Sequence, residues 1–205
     1  MTHRFSELMF TPAVKALQEA DGSRDSYARY AESRFPARGR FTQGEIDHIL
    51  ARDSFYFASV SETGWPYVQH RGGAPGFLKV PDDRTLAFAD YPGNRQYITF
   101  GNLGGDNRVA LFLMDYPKRR RLKILAHARV IDSDHEPGIL QQFSGDGEMP
   151  QRGVMLSLEG FDWNCPKYIT PRFTLAELAP LQARLEALEA ENAKLRGRLA
   201  SAGLS

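Results

Sequence analysis

The sequence has almost no cysteine and no long apolar run, and each absence excludes a class of protein. Cys165 is the single cysteine of 205 residues, so a disulfide within one chain and a cluster of thiolate metal ligands are both excluded. No apolar stretch approaches the roughly 18 residues of a membrane span. Residues 1–7 also lack the apolar core of a signal peptide. We therefore expect a cytoplasmic protein without a membrane partner.

The chain also has almost no net charge. It contains 26 Lys and Arg residues and 25 Asp and Glu residues, which gives a formal net charge of +1. No field from the whole chain attracts nucleic acid, so a nucleic-acid partner is not expected and any anion site must be local. The hydrophobic content of 42% is enough for a sizeable core in one domain with appendages.

Helix signals are concentrated near the N-terminus. A helix is predicted from about Pro12, and Ser23 is a suitable cap for a second, short helix. Thr42 begins a capping-box sequence before a third helix. His48 lies on that third helix, and we expect it to be exposed rather than a ligand. Residues 136–143 are predicted to form another short helix.

Strand signals dominate the middle of the chain. Strands are predicted at 54–61, 65–70, 77–80, 85–89, 109–114, 122–132 and 154–158. The turn at 62–64 joins the first two as a hairpin, and the nearly continuous apolar run 109–114 is expected to be buried on both faces. Meandering strands with helices at the edges predict an α+β fold whose predominantly antiparallel sheet closes into a barrel.

The C-terminal segment has a different pattern. Leucines from Leu178 to Leu199 recur at alternating steps of three and four, which is typical of a coiled-coil seam. Asn192 falls in an a position, where asparagine favours a parallel dimer. A single amphipathic helix packed on its own barrel explains the spacing equally well. The predicted division is an N-terminal helical extension at 1–40, a barrel domain at 41–172 and a C-terminal helix at 173–205.

One stretch predicts an anion site. The strand ending near Ala89 runs through Pro92 and Gly93 into a predicted helix, with Asn94 as its N-cap and Arg95 in its first turn. A helix start offers unpaired N–H groups, and an arginine adds a planar fork of donors, so phosphate could bind there. An ordinary turn with a solvated arginine is the alternative.

Separate motifs in this order carry a resemblance to a known family. They are the runs 55–60, 64–73, 76–78 and 90–95, continued by Asn102, by the strand around 122–130 and by residues 164–167. Together they resemble the pyridoxamine 5′-phosphate oxidase-like family of FMN-binding split barrels. The resemblance covers the chain to about Arg172 and leaves out the C-terminal helix.

The resemblance implies a homodimer that holds FMN at the subunit interface. Arg71, Asn94 and Arg95 would hold the phosphate, and Gln69, His70 and Gly72 would lie beside the flavin ring and ribityl chain. The full transferred set is Gln69, His70, Arg71, Gly72, Asp90, Tyr91, Asn94, Arg95, Gln96 and Asn102. Gly72 and Gly73 would let backbone N–H groups approach the ring.

The sequence departs from true pyridoxamine phosphate oxidases. A glycine-rich insertion at 72–76 breaks their second strand, and their C-terminal tryptophan and arginine substrate motif is not recognisable. We therefore expect an FMN-dependent oxidoreductase that transfers hydride between FMN and an unidentified small molecule. Because flavin supplies the hydride chemistry, no catalytic side chain is assigned.

Alternatives and minor sites remain open. The alternatives are a non-catalytic FMN- or haem-binding module, acting as sensor, store or chaperone, and a coiled-coil interaction protein that has lost its ligand. Cys165 is interpreted as a packing residue, with a redox thiol as the alternative. No metal site is predicted, because the acidic run 132–136 lacks ligand spacing.

Overall fold

The computed structural model describes residues 4–32, 39–143, 150–163 and 166–203. In chain order the elements are α1 (Arg4–Met9), α2 (Pro12–Ala20), α3 (Arg24–Glu32), α4 (Gln43–Leu50), β1 (Ser54–Val60), β2 (Pro66–Gly72), β3 (Lys79–Asp82), β4 (Thr85–Asp90), α5 (Ile98–Gly105), β5 (Arg108–Asp115), β6 (Arg120–Asp132), α6 (Pro137–Phe143), β7 (Arg152–Trp163) and α7 (Leu175–Ser201). Two compact units are present, one of residues 1–115 and 120–167, the other of 116–119 and 168–205. The predicted three-part division stays a prediction.

The predicted helix starts are confirmed where capping signals were specific. Thr11 Oγ1 accepts a hydrogen bond from the Val14 amide at 3.4 Å, and Pro12 occupies the first turn of α2. At α4, the Thr42 amide donates to Glu45 Oε2 at 3.0 Å, which is half of the expected capping box. Helix α1 was not predicted, because it is short and has no comparable cap.

The expectation that His48 is exposed is wrong. Its side chain is buried, with 6% of the residue exposed, and its ring meets Trp163 edge-on at 4.7 Å between centroids. Burial, followed by the nearby charge of Arg52, lowers the pKa of His48 from 6.5 to about 4. The helical pattern did not reveal this burial, because the covering tryptophan comes from a strand more than 100 residues away.

The seven strands form one antiparallel sheet in the order β2-β1-β5-β6-β7-β4-β3. The predicted hairpin of β1 and β2 is confirmed. The prediction that residues 109–114 are buried on both faces is wrong. Residues of β5 alternate between buried and half-exposed, so only one face of the strand is in the core. Its outward side chains are apolar but small or partly covered, and this made the run look uniformly buried.

Hydrogen bonds do not close the sheet, which ends at β2 and at β3. Side chains nevertheless join strands far apart in that order: the Phe88 ring on β4 lies 5.4 Å from Phe55 and 6.0 Å from Phe57 on β1, measured between centroids. The sheet therefore folds back on itself around one apolar core. The predicted α+β split barrel is confirmed, with side chains rather than backbone bonds across its split.

Helix α7 belongs to the smaller unit. Thr174 and Glu177 form a reciprocal capping box at its start. The helix runs for 27 residues with Pro180 inside it and no buried residue. None of the helices that the structure describes combines the length and the apolar character that crossing a bilayer needs.

Candidate functional site

Most of the predicted site residues surround one cavity of about 210 Å³. It lies where β2, the end of β4 and the start of α5 meet. Its lining residues are Tyr67, Gln69, Arg71, Asp90, Tyr91, Gly93, Asn94, Arg95, Gln96, Tyr97, Ile98, Thr99, Phe100 and Gln151. We call this the polar cavity.

An ion pair forms the base of the polar cavity. Arg71 Nη1 donates to Asp90 Oδ1 at 2.6 Å, and the side chains are 17% and 10% exposed. The guanidinium also lies 5.6 Å from the Phe88 ring and 5.9 Å from the Phe100 ring. Arg71 Nε is buried without a hydrogen-bond partner among the described residues. The pair is thus held on several sides, yet one donor of Arg71 is unused.

Arg152 is a basic residue of this site that the sequence analysis missed. It lies opposite Asp90 in the pairing of β4 with β7, with Nε 4.0 Å from Asp90 Oδ2. Its guanidinium stacks at 4.6 Å over Phe100 and at 5.1 Å over Tyr97. Arg152 precedes the predicted strand 154–158, and only the long-range strand pairing reveals its place. No local signal marked it.

The predicted helix start is wrong by several residues. Asn94 is not an N-cap: its Oδ1 accepts from the Gln96 amide at 3.2 Å and closes a local turn. Arg95 and Tyr97 both have left-handed backbone, with φ of 58° and 54°, so the chain cannot be helical until Ile98. The asparagine signal was real, but the side chain caps a turn instead of a helix.

The true start of α5 still opens onto the polar cavity. Its N-cap, Tyr97, makes no side-chain capping bond, and Ile98, Thr99 and Phe100 of the first turn line the cavity. First-turn N–H groups have no partner within the helix and carry partial positive charge. Arg71 and Arg95 line the cavity with Asp90, the one carboxylate among its described lining residues, and Arg152 lies next to Asp90, so the chemistry favours an anion.

Strand alternation separates the predicted residues of β2 into two sets. Gln69 and Arg71 face the polar cavity, where Thr99 Oγ1 donates to Gln69 Oε1 at 2.7 Å. His70 and Gly72 alternate with them and therefore face the other side of the sheet. They line a second cavity of about 510 Å³ with the loop 73–77, and Arg71, Asp90 and Tyr91 border both cavities.

Gly73 does not offer its backbone to a ligand as expected. Its N–H donates to the Asp53 carbonyl at 2.9 Å. A Cβ at this position would lie 2.7 Å from the Phe77 ring, so glycine is required here by packing. The close approach that the glycine signalled is to a side chain of the same protein.

Asn102 stands apart from the other predicted residues. Its Nδ2 donates to Ser59 Oγ at 2.9 Å in a buried contact, and it lines neither cavity. Its assignment to FMN binding stays a prediction. Cys165 and Asn164 lie outside the described residues. Within the described ranges, no group of three or more His, Cys, Asp or Glu side chains could hold a metal ion.

Comparison with known proteins identifies the family of this split barrel. The family model described as pyridoxamine 5′-phosphate oxidase matches residues 43–154, which is more than half of the 205 residues. The chain therefore belongs to the pyridoxamine 5′-phosphate oxidase family. The match spans α4 to the start of β7 and so contains both cavities. No curated protein matches the chain.

Solved structures resemble the chain at low identity. HupZ from Group A Streptococcus is 11% identical, with 65% of this chain and 100% of that chain covered and a TM-score of 0.49. A putative pyridoxamine 5′-phosphate oxidase from Lactobacillus delbrueckii is 22% identical, with 60% and 94% covered and a TM-score of 0.49. A relative of general stress protein 26 from Clostridium acetobutylicum is 12% identical, with 66% and 94% covered and a TM-score of 0.48. At these identities and TM-scores the likeness assigns no ligand and no activity to this chain.

Proposed function

We propose that this protein is a homodimeric FMN-binding oxidoreductase that acts on a small molecule. The observation that carries the proposal is the polar cavity: two arginines, an uncapped helix start and one described carboxylate line it, and a third arginine, Arg152, lies beside that carboxylate. A phosphate monoester carries close to two negative charges and needs several donors at fixed positions. Membership of a family named for an FMN-type oxidase supports the same cofactor.

Within this proposal, the residues of the polar cavity bind the phosphate. Arg71 offers its unused Nε, and Arg95, which has no partner among the described residues, offers a whole guanidinium. The first-turn N–H groups of α5 complete the set. Asn94 keeps the turn before α5 in shape through its bond to the Gln96 amide. FMN, when bound, supplies the hydride transfer.

His70 and Gly72, which are proposed to lie beside the flavin ring, are on a face of β2 that continues into an apolar surface. His70 is paired across the sheet with Tyr56, which is paired in turn with Phe112. Tyr56 and Val68 are 40% and 59% exposed. Paired residues share one face of a sheet, so His70 and Gly72 adjoin this apolar row. A second copy of the chain that covers the row would place the flavin side of the site at the subunit interface.

The side chains around the polar cavity support binding more clearly than acid–base catalysis. Asp90, the one carboxylate among the described lining residues, accepts a hydrogen bond from Arg71 and lies near Arg152. A non-catalytic module that carries FMN or haem is therefore the second candidate. Turnover separates the two: reduction by nicotinamide donors followed by reoxidation with acceptors occurs only in the oxidoreductase.

The test begins with the visible absorption spectrum of the purified protein and the identity of any chromophore released from it. FMN is then titrated into ligand-free protein by fluorescence quenching. The double variant Arg71→Gln, Asp90→Asn removes the charges and keeps hydrogen-bonding groups in place. We expect it to bind FMN at least tenfold more weakly, about 1.4 kcal/mol, with the fold retained.

The matched control is Arg108→Gln, which makes the same change at an exposed arginine paired with Asp106. We expect its FMN affinity to equal that of the parent. Equal affinity in the double variant would overturn the assignment of the polar cavity, and a haem spectrum would overturn FMN as the cofactor.

A further inference from the structure

Helix α7 leaves a row of leucines exposed. Leu181, Leu185, Leu188, Leu195 and Leu199 are between 43% and 68% exposed. Exposed leucines cost hydration free energy that burial would recover, at about 25 cal/mol for each Å². A row of this length on one helix therefore indicates a surface that packs against a further protein surface.

The leucines recur with the heptad spacing of a coiled coil. Positions a are Leu178, Leu185, Asn192 and Leu199, and positions d are Leu181, Leu188 and Leu195. Pro180 lies inside the helix immediately before Leu181, which is a d residue. The part of the seam that contains no proline therefore begins at Leu181. The seam then runs to the end of the helix.

The surface of α7 contains a hole of the kind that a coiled coil needs. A surface depression is lined by Leu185, Leu188, Glu189 and Asn192, with Ala193 and Arg196 beside them. The first four occupy consecutive a, d, e and a positions. In two-stranded coils a d side chain of the partner inserts into a hole made by four such residues. The depression therefore fits a leucine from a second α7.

We propose that α7 pairs with α7 of a second copy of this chain as a parallel, in-register, two-stranded coiled coil. Asn192 sets the direction. In a parallel pair, a positions face each other, so the two Asn192 amides hydrogen-bond across the seam. In an antiparallel pair, a faces d, and Asn192 would be buried against a leucine with its amide unsatisfied.

The flanking charges are complementary in the parallel register. Position g of one helix lies beside the following e position of its partner. Arg184 would meet the second copy's residue 189, a glutamate, and Glu191 would meet residue 196, an arginine. Opposite charges also occur in antiparallel registers, so the charges support pairing between copies while Asn192 decides direction.

The seam has only about three heptads, which is marginal for two isolated helices. In the full chain a second contact between barrels would raise the effective concentration of α7 for its partner. The coiled coil does not depend on FMN or on the identity of the cofactor. It adds an interface outside residues 43–154, the part that the family shares.

Disulfide trapping in the full chain tests both pairing and direction. In a Cys165→Ala background, Leu185→Cys places one thiol at an a position of the seam and keeps Asn192, and Ala190→Cys places it at the outward f position. Under mild oxidation we expect the 185 variant to form a covalent dimer at least tenfold faster than the 190 variant. Equal rates would overturn the proposal, and so would no crosslink at 185, which is the result for an antiparallel pair, for a different partner or for packing of α7 on its own barrel.

A charge exchange provides a second measurement. Glu191→Arg, added to the 185 thiol variant, is expected to slow crosslinking, because it places like charges beside each other. Adding Arg196→Glu restores the opposite signs in the parallel register and is expected to restore the rate. Failure of the second change to rescue the first would overturn the proposed register. Lys194→Glu, at an outward c position, serves as the control.

Discussion

The two sides of the polar cavity are held in different ways. On the strand side, Arg71, Asp90 and Arg152 are ion-paired and packed against aromatic rings. On the loop side, residues 91–98 are exposed and include two non-glycine residues with left-handed backbone. The strand side is therefore preorganised by the fold, whereas the loop side has few contacts and gains most from a ligand.

This difference separates two kinds of mutational effect. A change on the strand side removes interactions that the folded protein makes without ligand, so it lowers the free energy of unfolding. A change on the loop side removes donors that act only when an anion is bound. It should lower affinity and leave unfolding unchanged.

The largest expected effect is that of Asp90→Asn alone. It leaves Arg71 and Arg152 without their shared carboxylate in a nearly buried place, and we expect the free energy of unfolding of ligand-free protein to fall by about 2–4 kcal/mol. Urea denaturation followed by tryptophan fluorescence measures it. Adding Arg71→Gln removes the unpaired positive charge and is expected to restore part of the lost free energy of unfolding. If the Asp90→Asn variant is as stable as the parent, the strand side is not held by its ion pairs and the contrast with the loop side is wrong.

Arg95→Ala tests the opposite side. Because Arg95 is exposed and without a partner among the described residues, we expect unfolding to change by less than about 0.5 kcal/mol. FMN affinity is expected to fall about tenfold, since one charge-assisted donor to phosphate is lost. Fluorescence titration and urea denaturation of the same preparation give both quantities. A large loss of stability with unchanged affinity would reverse the roles assigned to the two sides.

The sequence predicted the strand side better than the loop side for a physical reason. Strand alternation and hairpin turns are local signals, so β1, β2 and β4 were identified, while Arg71 and Asp90 at their ends were assigned to the site by the family resemblance. Arg152 reaches the site through the pairing of β4 with β7, which no local pattern encodes. Sequence resemblance brought Asn102 into the predicted site, but its side chain bonds with Ser59.

The loop side was predicted in chemistry but not in geometry. Asn94 after Pro-Gly is compatible with a helix cap and with a local turn, and only the backbone angles of Arg95 and Tyr97 decide between them. A helix start is still present at the polar cavity, beginning at Ile98. His48 was misjudged for the same reason as Arg152, since its covering residue, Trp163, is distant in sequence.

His48 differs from the ion-paired residues of the strand side, because it is buried and no described residue of opposite charge is bonded to it. Burial lowers its folded-state pKa to about 4, against 6.5 for the exposed group, so between these values the unfolded state binds more protons. Stability therefore falls as pH decreases from about 6.5 towards about 4. We expect His48→Gln to remove about 1–2 kcal/mol of that fall. Urea denaturation at pH 7 and pH 4.5 for both proteins measures it, and parallel pH profiles would show that His48 is not the cause.

The smallest expected effect is that of Asn94→Ala. This variant tests whether the loop side is ordered before a ligand binds. The variant loses the bond from the Gln96 amide to Asn94 Oδ1, which stabilises the turn before Arg95, and it also loses the Nδ2 donor of a residue that lines the polar cavity. We expect unchanged unfolding and a roughly threefold loss of FMN affinity, about 0.6 kcal/mol, because ligand binding must then order a looser segment. Asn94→Asp keeps an acceptor for the Gln96 amide but adds a negative charge. A loss of affinity in the aspartate variant that exceeds the loss in the alanine variant would show that charge near Arg95, more than the shape of the turn, determines binding.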